Sequence, residues 1–196
     1  MATENTTLMQ SARKSLENNW GIAIITFLIY TIIISVGSYA AIVIAGPFAL
    51  GLALFSLNIS RGKELKIEQI FQGFNRFVDG LIAYLLILLN VFLWALLFII
   101  PGIIKAFSYA MTYFIMIDEP ELSPQQAMKK SQEMMDGYKM KYFRLTLRFM
   151  GWSLLCILTL GIGFLWLVPY MYVTNAKFYE DLKTDPLQEI GIEVNN

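Results

Sequence analysis

From Trp20 to Ser60 the chain carries no charged side chain, from Leu81 to Ile117 it carries only Lys105, and from Phe149 to Ala176 it again carries none. About 20 helical residues cross the hydrocarbon of a bilayer, so an uncharged tract of 18 or more reads as a membrane span. In hydrocarbon each backbone N–H and C=O needs a partner, and a helix supplies all of them within one segment. The first two tracts are roughly twice the length of one span, so each is expected to fold as a helical pair. An apolar fraction of 57% agrees, exceeding the roughly half found in soluble domains. The expected fold is all-α: a polytopic membrane helix bundle forming a single integral-membrane domain over 1–196.

Gly and Pro punctuate the tracts. Ala45-Gly46-Pro47, Pro101-Gly102 and Gly161-Ile-Gly163 read as turns, because proline lacks an N–H and clashes inside a helix and glycine loosens one. Six transmembrane helices follow, as three hairpins near 20–60, 80–117 and 142–178. The stretch 149–176 is short for two full spans unless Arg144, Arg148 and Lys177 snorkel to the interface, so a five-span fold stays open. Gly37, Gly46 and Gly51 are small enough to allow close helix contact.

Short amphipathic interfacial helices precede the hairpins, at about 8–19, 66–78 and 124–136. Met1 to Asn5 reads as a disordered tail and Thr7-Leu-Met-Gln10 as a capping box. Leu8, Ala12, Leu16 and Trp20 then form one helical stripe that turns into the first span. Ile67, Ile70, Phe71, Phe74 and Val78 form the second stripe. Ser123-Pro-Gln-Gln126 is a capping box with Pro at the first helical position. Ala127, Ser131, Met134, Met135 and Tyr138 follow on one face, and Gly137 is a natural stop. From Glu180 the chain reads as a polar tail. Surface helix, span, turn and span thus recur three times, a structural repeat that Lys14-Ser15 and Glu17 echo in Lys130-Ser131 and Glu133.

Every Lys and Arg except Lys105 flanks one of these feet, and the three turns carry no charge. Positive residues stay cytoplasmic, so both termini are expected inside, in a multi-pass protein of the plasma membrane with the turns outside. A net charge of zero, with the basic residues split among the feet, argues against nucleic-acid binding. The chain has no histidine, no His–Glu zinc motif, no phosphate-binding glycine loop and no Gly-x-Ser-x-Gly elbow. No catalytic residue, metal site or cofactor is expected, and Cys156 reads as a small core residue.

Ile100-Pro-Gly-Ile-Ile-Lys105-Ala-Phe-Ser-Tyr109, Asp118-Glu-Pro-Glu-Leu-Ser123, Ala127-Met-Lys-Lys-Ser131 and Met135-Asp-Gly-Tyr-Lys139 carry a resemblance. So do Gly151-Trp152, the run Thr159 to Tyr170 and Phe178-Tyr-Glu-Asp-Leu182. Together they resemble the bacterial integral-membrane family known as domain of unknown function 975. The resemblance implies a multi-span helical protein of the plasma membrane and assigns no activity. The layout is also loosely similar to the membrane domain beside some glycerophosphodiester phosphodiesterases, which hints at lipid-related work.

Four groups are candidates for chemistry. Lys105, a charge inside an apolar tract, is read either as snorkelling to the outer surface or as holding an anionic ligand beside the helix start after Gly102. Arg144 and Arg148, four apart on a helix, either grip lipid phosphate or anchor the span by the positive-inside rule. Asp118, Glu119 and Glu121 read as a polar exit or as ligands of a divalent cation. Asn58, Asn90 and Asn175 read as interhelical hydrogen-bonding groups or as parts of a polar path. The leading expectation is a non-enzymatic scaffold or accessory protein binding membrane lipids or other membrane proteins through its feet. The alternative is a small transporter or lipid-handling protein using Lys105.

Overall fold

The computed structural model describes residues 3–36 and 41–184. The described residues form helices joined by short turns, in three successive units. Helix α1 (Asn5–Leu16) is followed by α2 (Trp20–Val36) and α3 (Ala41–Ser60). Helix α4 (Gln69–Gln72) and a 3-10 turn (Gly73–Arg76) lead into α5 (Phe77–Leu97), which returns as α6 (Ile99–Ser108) and α7 (Thr112–Asp118). Helix α8 (Pro124–Met134) precedes α9 (Lys139–Leu158) and α10 (Phe164–Lys183). The order of foot, long helix and return helix therefore recurs as the sequence pattern requires.

Three stretches are long and apolar enough to cross a membrane: Ile42–Ser60, Gln69–Leu97 and Ile99–Asp118. A fourth appears if Asn5–Leu16 and Trp20–Ile33, bent by 97°, count as one span. The last hairpin does not qualify. Lys139, Lys141, Arg144 and Arg148 occupy the first half of α9, and Lys177, Glu180, Asp181 and Lys183 occupy the end of α10.

Several boundaries differ from the sequence reading, each for a physical reason. Helix α1 opens at Asn5 with Glu4 at its cap and no side-chain cap bond, so Thr7–Gln10 lies inside the helix rather than capping it. The Thr3 N–H donates to Asp181 (2.9 Å to Oδ1), so the segment 3–5 is tied down rather than a free tail. Helix α2 is described as far as Val36 and α3 from Ala41, and Gly37 lies outside the described residues. Gly46 and Pro47 sit inside α3 as contact points. A Cβ on Gly46 would fall 2.1 Å from the Gly80 carbonyl oxygen, and one on Gly51 would fall 1.9 Å from the Ile70 carbonyl oxygen. The glycines let the α3 backbone touch α4 and α5 directly.

The second break is a single extended residue, Phe98 (φ −155°, ψ 143°), and Pro101 falls in the first turn of α6. Proline is tolerated there because the first-turn N–H groups lack intrahelical partners anyway. The second foot is shorter than 66–78: Gly73 packs on the Pro47 carbonyl, Ile70 is buried, and Val78 is exposed. The third turn follows the sequence reading, with positive φ at Leu160 and Gly161. Helix α10 continues to Lys183, so Glu180 and Asp181 are helical, and residues 185–196 of the polar tail lie outside the described residues.

Helix α3 packs against α5, α10, α7, α4, α2 and α1. One apolar cluster gathers Leu50, Met111, Ile115, Ala127, Phe178 and Tyr179 around α7, α8 and α10. A second gathers Leu16, Phe27, Phe48, Phe55 and Val173 around α2, α3 and α10. The stripe Leu8, Ala12 and Leu16 of α1 is fully used in these clusters. By contrast the hairpin tips are bare: Ile99 is 75% and Leu160 94% exposed.

Candidate functional site

The ends of α3, α7 and α10 meet in a charged junction. Arg61, just past α3, donates from Nη1 to Asp118 Oδ1 (2.9 Å) and from Nη2 to Asp118 Oδ2 (2.7 Å). Its Nε donates to Glu180 Oε1 (2.9 Å) on α10. Lys183 Nζ (2.7 Å) and the Tyr179 hydroxyl (3.1 Å) also donate to Asp118 Oδ2. This fork-on-carboxylate geometry is the strong form of ion pairing. The hydrogen bond to Asp118 raises the Arg61 pKa above its ordinary value against the opposing cost of burial, with Glu180 adding to the rise, so the guanidinium is permanently charged.

Neighbouring cations are likewise engaged. Lys141 pairs with Asp181 (2.7 Å), whose carboxylate also accepts the Thr3 N–H. Lys130 donates to Glu119 Oε2 (2.6 Å). Arg76 donates to the Met116 carbonyl (2.6 Å), satisfying a free acceptor near the C-terminal end of α7, and to Asp79 (3.0 Å). Asp118 and Glu119 are therefore occupied by basic side chains. No group of acidic or Cys residues able to hold a metal ion occurs among the described residues. The divalent-cation reading of 118–121 gives way to a structural one.

Lys105 lies in the last turns of α6, where its Nζ donates to Gln132 Oε1 on α8 (3.3 Å) and sits 5.4 Å from the Trp94 ring centroid. It reaches toward a foot helix instead of the hairpin tip. Asn90 donates to the Leu86 carbonyl of its own helix (2.9 Å), so it makes no interhelical bond there. Cys156 is buried as a small core residue, with its Sγ 2.7 Å from where a Gly163 Cβ would stand.

Arg144 and Arg148 are brought together on the exposed side of α9, facing a cleft toward α1. Two adjoining cavities of about 490 Å³ each occupy this cleft. The more polar one is lined by Thr3, Glu4, Asn5, Lys141, Arg144 and Arg148. The other is lined mainly by Met9, Leu147, Gly151, Trp152, Leu155 and Tyr170, and it shares Arg148. Lys105 lines neither, so the sequence candidates separate into two places.

Ser131 has a role the sequence did not disclose. Its hydroxyl donates to the Ser108 carbonyl (2.8 Å) and accepts the Met111 N–H (3.2 Å), fixing α8 to the bend between α6 and α7. Its place on the buried face of the third foot was the one available signal. The capping box is present as expected, with Gln126 N–H on Ser123 Oγ and Ser123 N–H on Gln126 Oε1.

Fold and site thus define an all-α protein with three to four helices apolar enough to cross a membrane and a charged junction at one end. Residues 96–185 match the family described as "Protein of unknown function (DUF975)". No curated protein matches the chain. No solved structure matches it either.

Proposed function

We propose that the protein is a non-enzymatic scaffold or accessory protein of the plasma membrane, binding membrane lipids and other membrane proteins through its feet. The observation that carries this reading is the junction of Arg61 with Asp118 and Glu180, which locks the ends of all three return helices into one polar platform. Both described ends of the chain meet there, through Thr3 and Asp181. With basic residues concentrated on this platform, the positive-inside rule puts it and both termini on the cytoplasmic side. Six crossings, the last hairpin included, complete this topology, with the α9 arginines snorkelling to the interface.

A second reading, a small transporter or lipid-handling protein using Lys105, is favoured by buried hydroxyls of Thr26, Ser56, Thr112 and Tyr113 that lack hydrogen-bond partners among the described residues. Native mass spectrometry of the detergent-purified protein beside Lys105→Met separates the two. Equal retention of an anionic phospholipid by both proteins is the scaffold's expected result. Loss of that lipid from the Lys105 variant alone transfers the site to Lys105 and rejects the platform.

A further inference from the structure

We infer that the cleft between α1 and α9 is a binding site for one anionic glycerophospholipid, its phosphate held by Arg144 and Arg148 and an acyl chain lying along Leu147, Gly151 and Leu155. The inference rests on the lipid-binding scaffold reading and names its ligand and its place.

Charge comes first. Four cations at this end are neutralised within the chain: Arg61 and Lys183 by Asp118, Lys141 by Asp181, Lys130 by Glu119. Arg144 and Arg148 make no hydrogen bond, ion pair or ring contact with any described residue, although they are neighbours on one helix. Among the described residues Glu4 is the one carboxylate lining the polar cavity, and Lys141 there is already matched by Asp181. Two free guanidinium groups against one carboxylate leave a local excess of one positive charge, which a monoanionic headgroup completes. The guanidinium fork suits two phosphate oxygens at once.

Shape and polarity follow the same axis. Arg144 and Arg148 lie one turn apart, and Arg148 to Leu155 spans about 10 Å of helix at 1.5 Å per residue. Along that length the lining changes from Glu4, Lys141 and Arg144 to Leu147, Gly151, Trp152 and Leu155. A lipid with its phosphate at the interface and its chain toward the hydrocarbon has this gradient. Gly151 leaves the chain's path open, because a Cβ there would meet nothing within 4 Å. The Tyr170 hydroxyl donates to the Met9 carbonyl (3.1 Å), closing the floor of the apolar cavity between α10 and α1. Cavities of this size, about 300–1,000 Å³, are typical of small-molecule sites.

The test is native mass spectrometry of the full chain with phosphatidylglycerol and, in parallel, phosphatidylcholine. The proteins compared are wild type, Arg144→Gln/Arg148→Gln and Gly151→Leu. The expected result is one phosphatidylglycerol retained in preference to phosphatidylcholine by wild type. Retention should fall about tenfold or more in the arginine variant, as loss of charge-assisted bonds implies, and also in Gly151→Leu, which keeps both arginines but fills the chain's path. Circular dichroism and melting of each variant establish that it is folded. Phosphatidylglycerol bound equally by all three proteins overturns the cleft assignment while leaving the lipid-binding scaffold standing. No preference for phosphatidylglycerol in wild type overturns the assignment too, and no retained lipid of either kind removes the lipid-binding reading with it.

Discussion

Replacing Arg61 with Met tests whether the junction at the ends of α3, α7 and α10 holds the three units together. The variant loses both bonds to Asp118 and both bonds to Glu180 while keeping a long apolar stem. An exposed ion pair contributes roughly 0–1 kcal/mol, and removing one member of a fully buried pair costs about 3–5 kcal/mol. The Arg61 side chain is 25% and that of Asp118 11% exposed, between these limits. Lys183 and Tyr179 remain on Asp118 in the variant, so its charge is not orphaned. The expected loss is therefore about 2 kcal/mol, a roughly thirtyfold drop in the folded-to-unfolded ratio.

Denaturant titration of the detergent-solubilised protein measures this directly, and Asp118→Asn completes a double-mutant cycle. A coupling energy of about 1–3 kcal/mol between the two positions is expected. Lys66→Met, which removes an exposed pair with Glu64, serves as the control and should leave stability unchanged. An Arg61→Met protein within about 0.5 kcal/mol of wild type, the range of ordinary surface substitutions, together with a coupling near zero, would refute the argument.

Gly51→Ala is expected to destabilise the protein strongly, because the new methyl meets backbone of Ile70 at 1.9 Å and backbone cannot swing aside. Gly151→Ala, with open space around it, is expected to stabilise α9 by about 0.5–1 kcal/mol; paired melting curves in one detergent check both. Ser131→Ala leaves the Met111 N–H buried without its acceptor and should cost about 1–3 kcal/mol. Its clearest readout is faster amide hydrogen exchange at Met111, and unchanged exchange there would remove Ser131 from the role of staple.

Alternation of charge-free tracts with basic feet made the helix order legible in the sequence, because burial and the cost of charge in hydrocarbon act at the level of whole segments. The capping box at Ser123 and the stop at Gly137 were legible for a different reason. Each is a local rule satisfied within a few residues. Gly46-Pro47 misled because the same two residues serve a turn or a close helix crossing, and only the partner at Gly80 decides between them. Phe98 was invisible as a break for the complementary reason: nothing about an extended phenylalanine among apolar residues marks it. Lys105 stands out in the sequence as a charge in an apolar tract, but its partner Gln132 belongs to a helix that sequence spacing alone could not bring alongside it.

The same distinction separates structural cations from candidate ligand-binding ones. In the sequence, Arg61, Lys141, Arg144 and Arg148 all look like positive-inside anchors. In the fold, Arg61 and Lys141 are matched to carboxylates more than a hundred residues away in Glu180, or forty residues away in Asp181. A ligand drawn to either would have to displace an internal partner and weaken the platform. Arg144 and Arg148 carry no such obligation among the described residues, and they border an apolar channel with room left at Gly151. Their attraction for an anion can be satisfied without any cost to the junction. Substituting them should therefore alter lipid retention while leaving the melting temperature near that of wild type, whereas Arg61→Met should lower the melting temperature first.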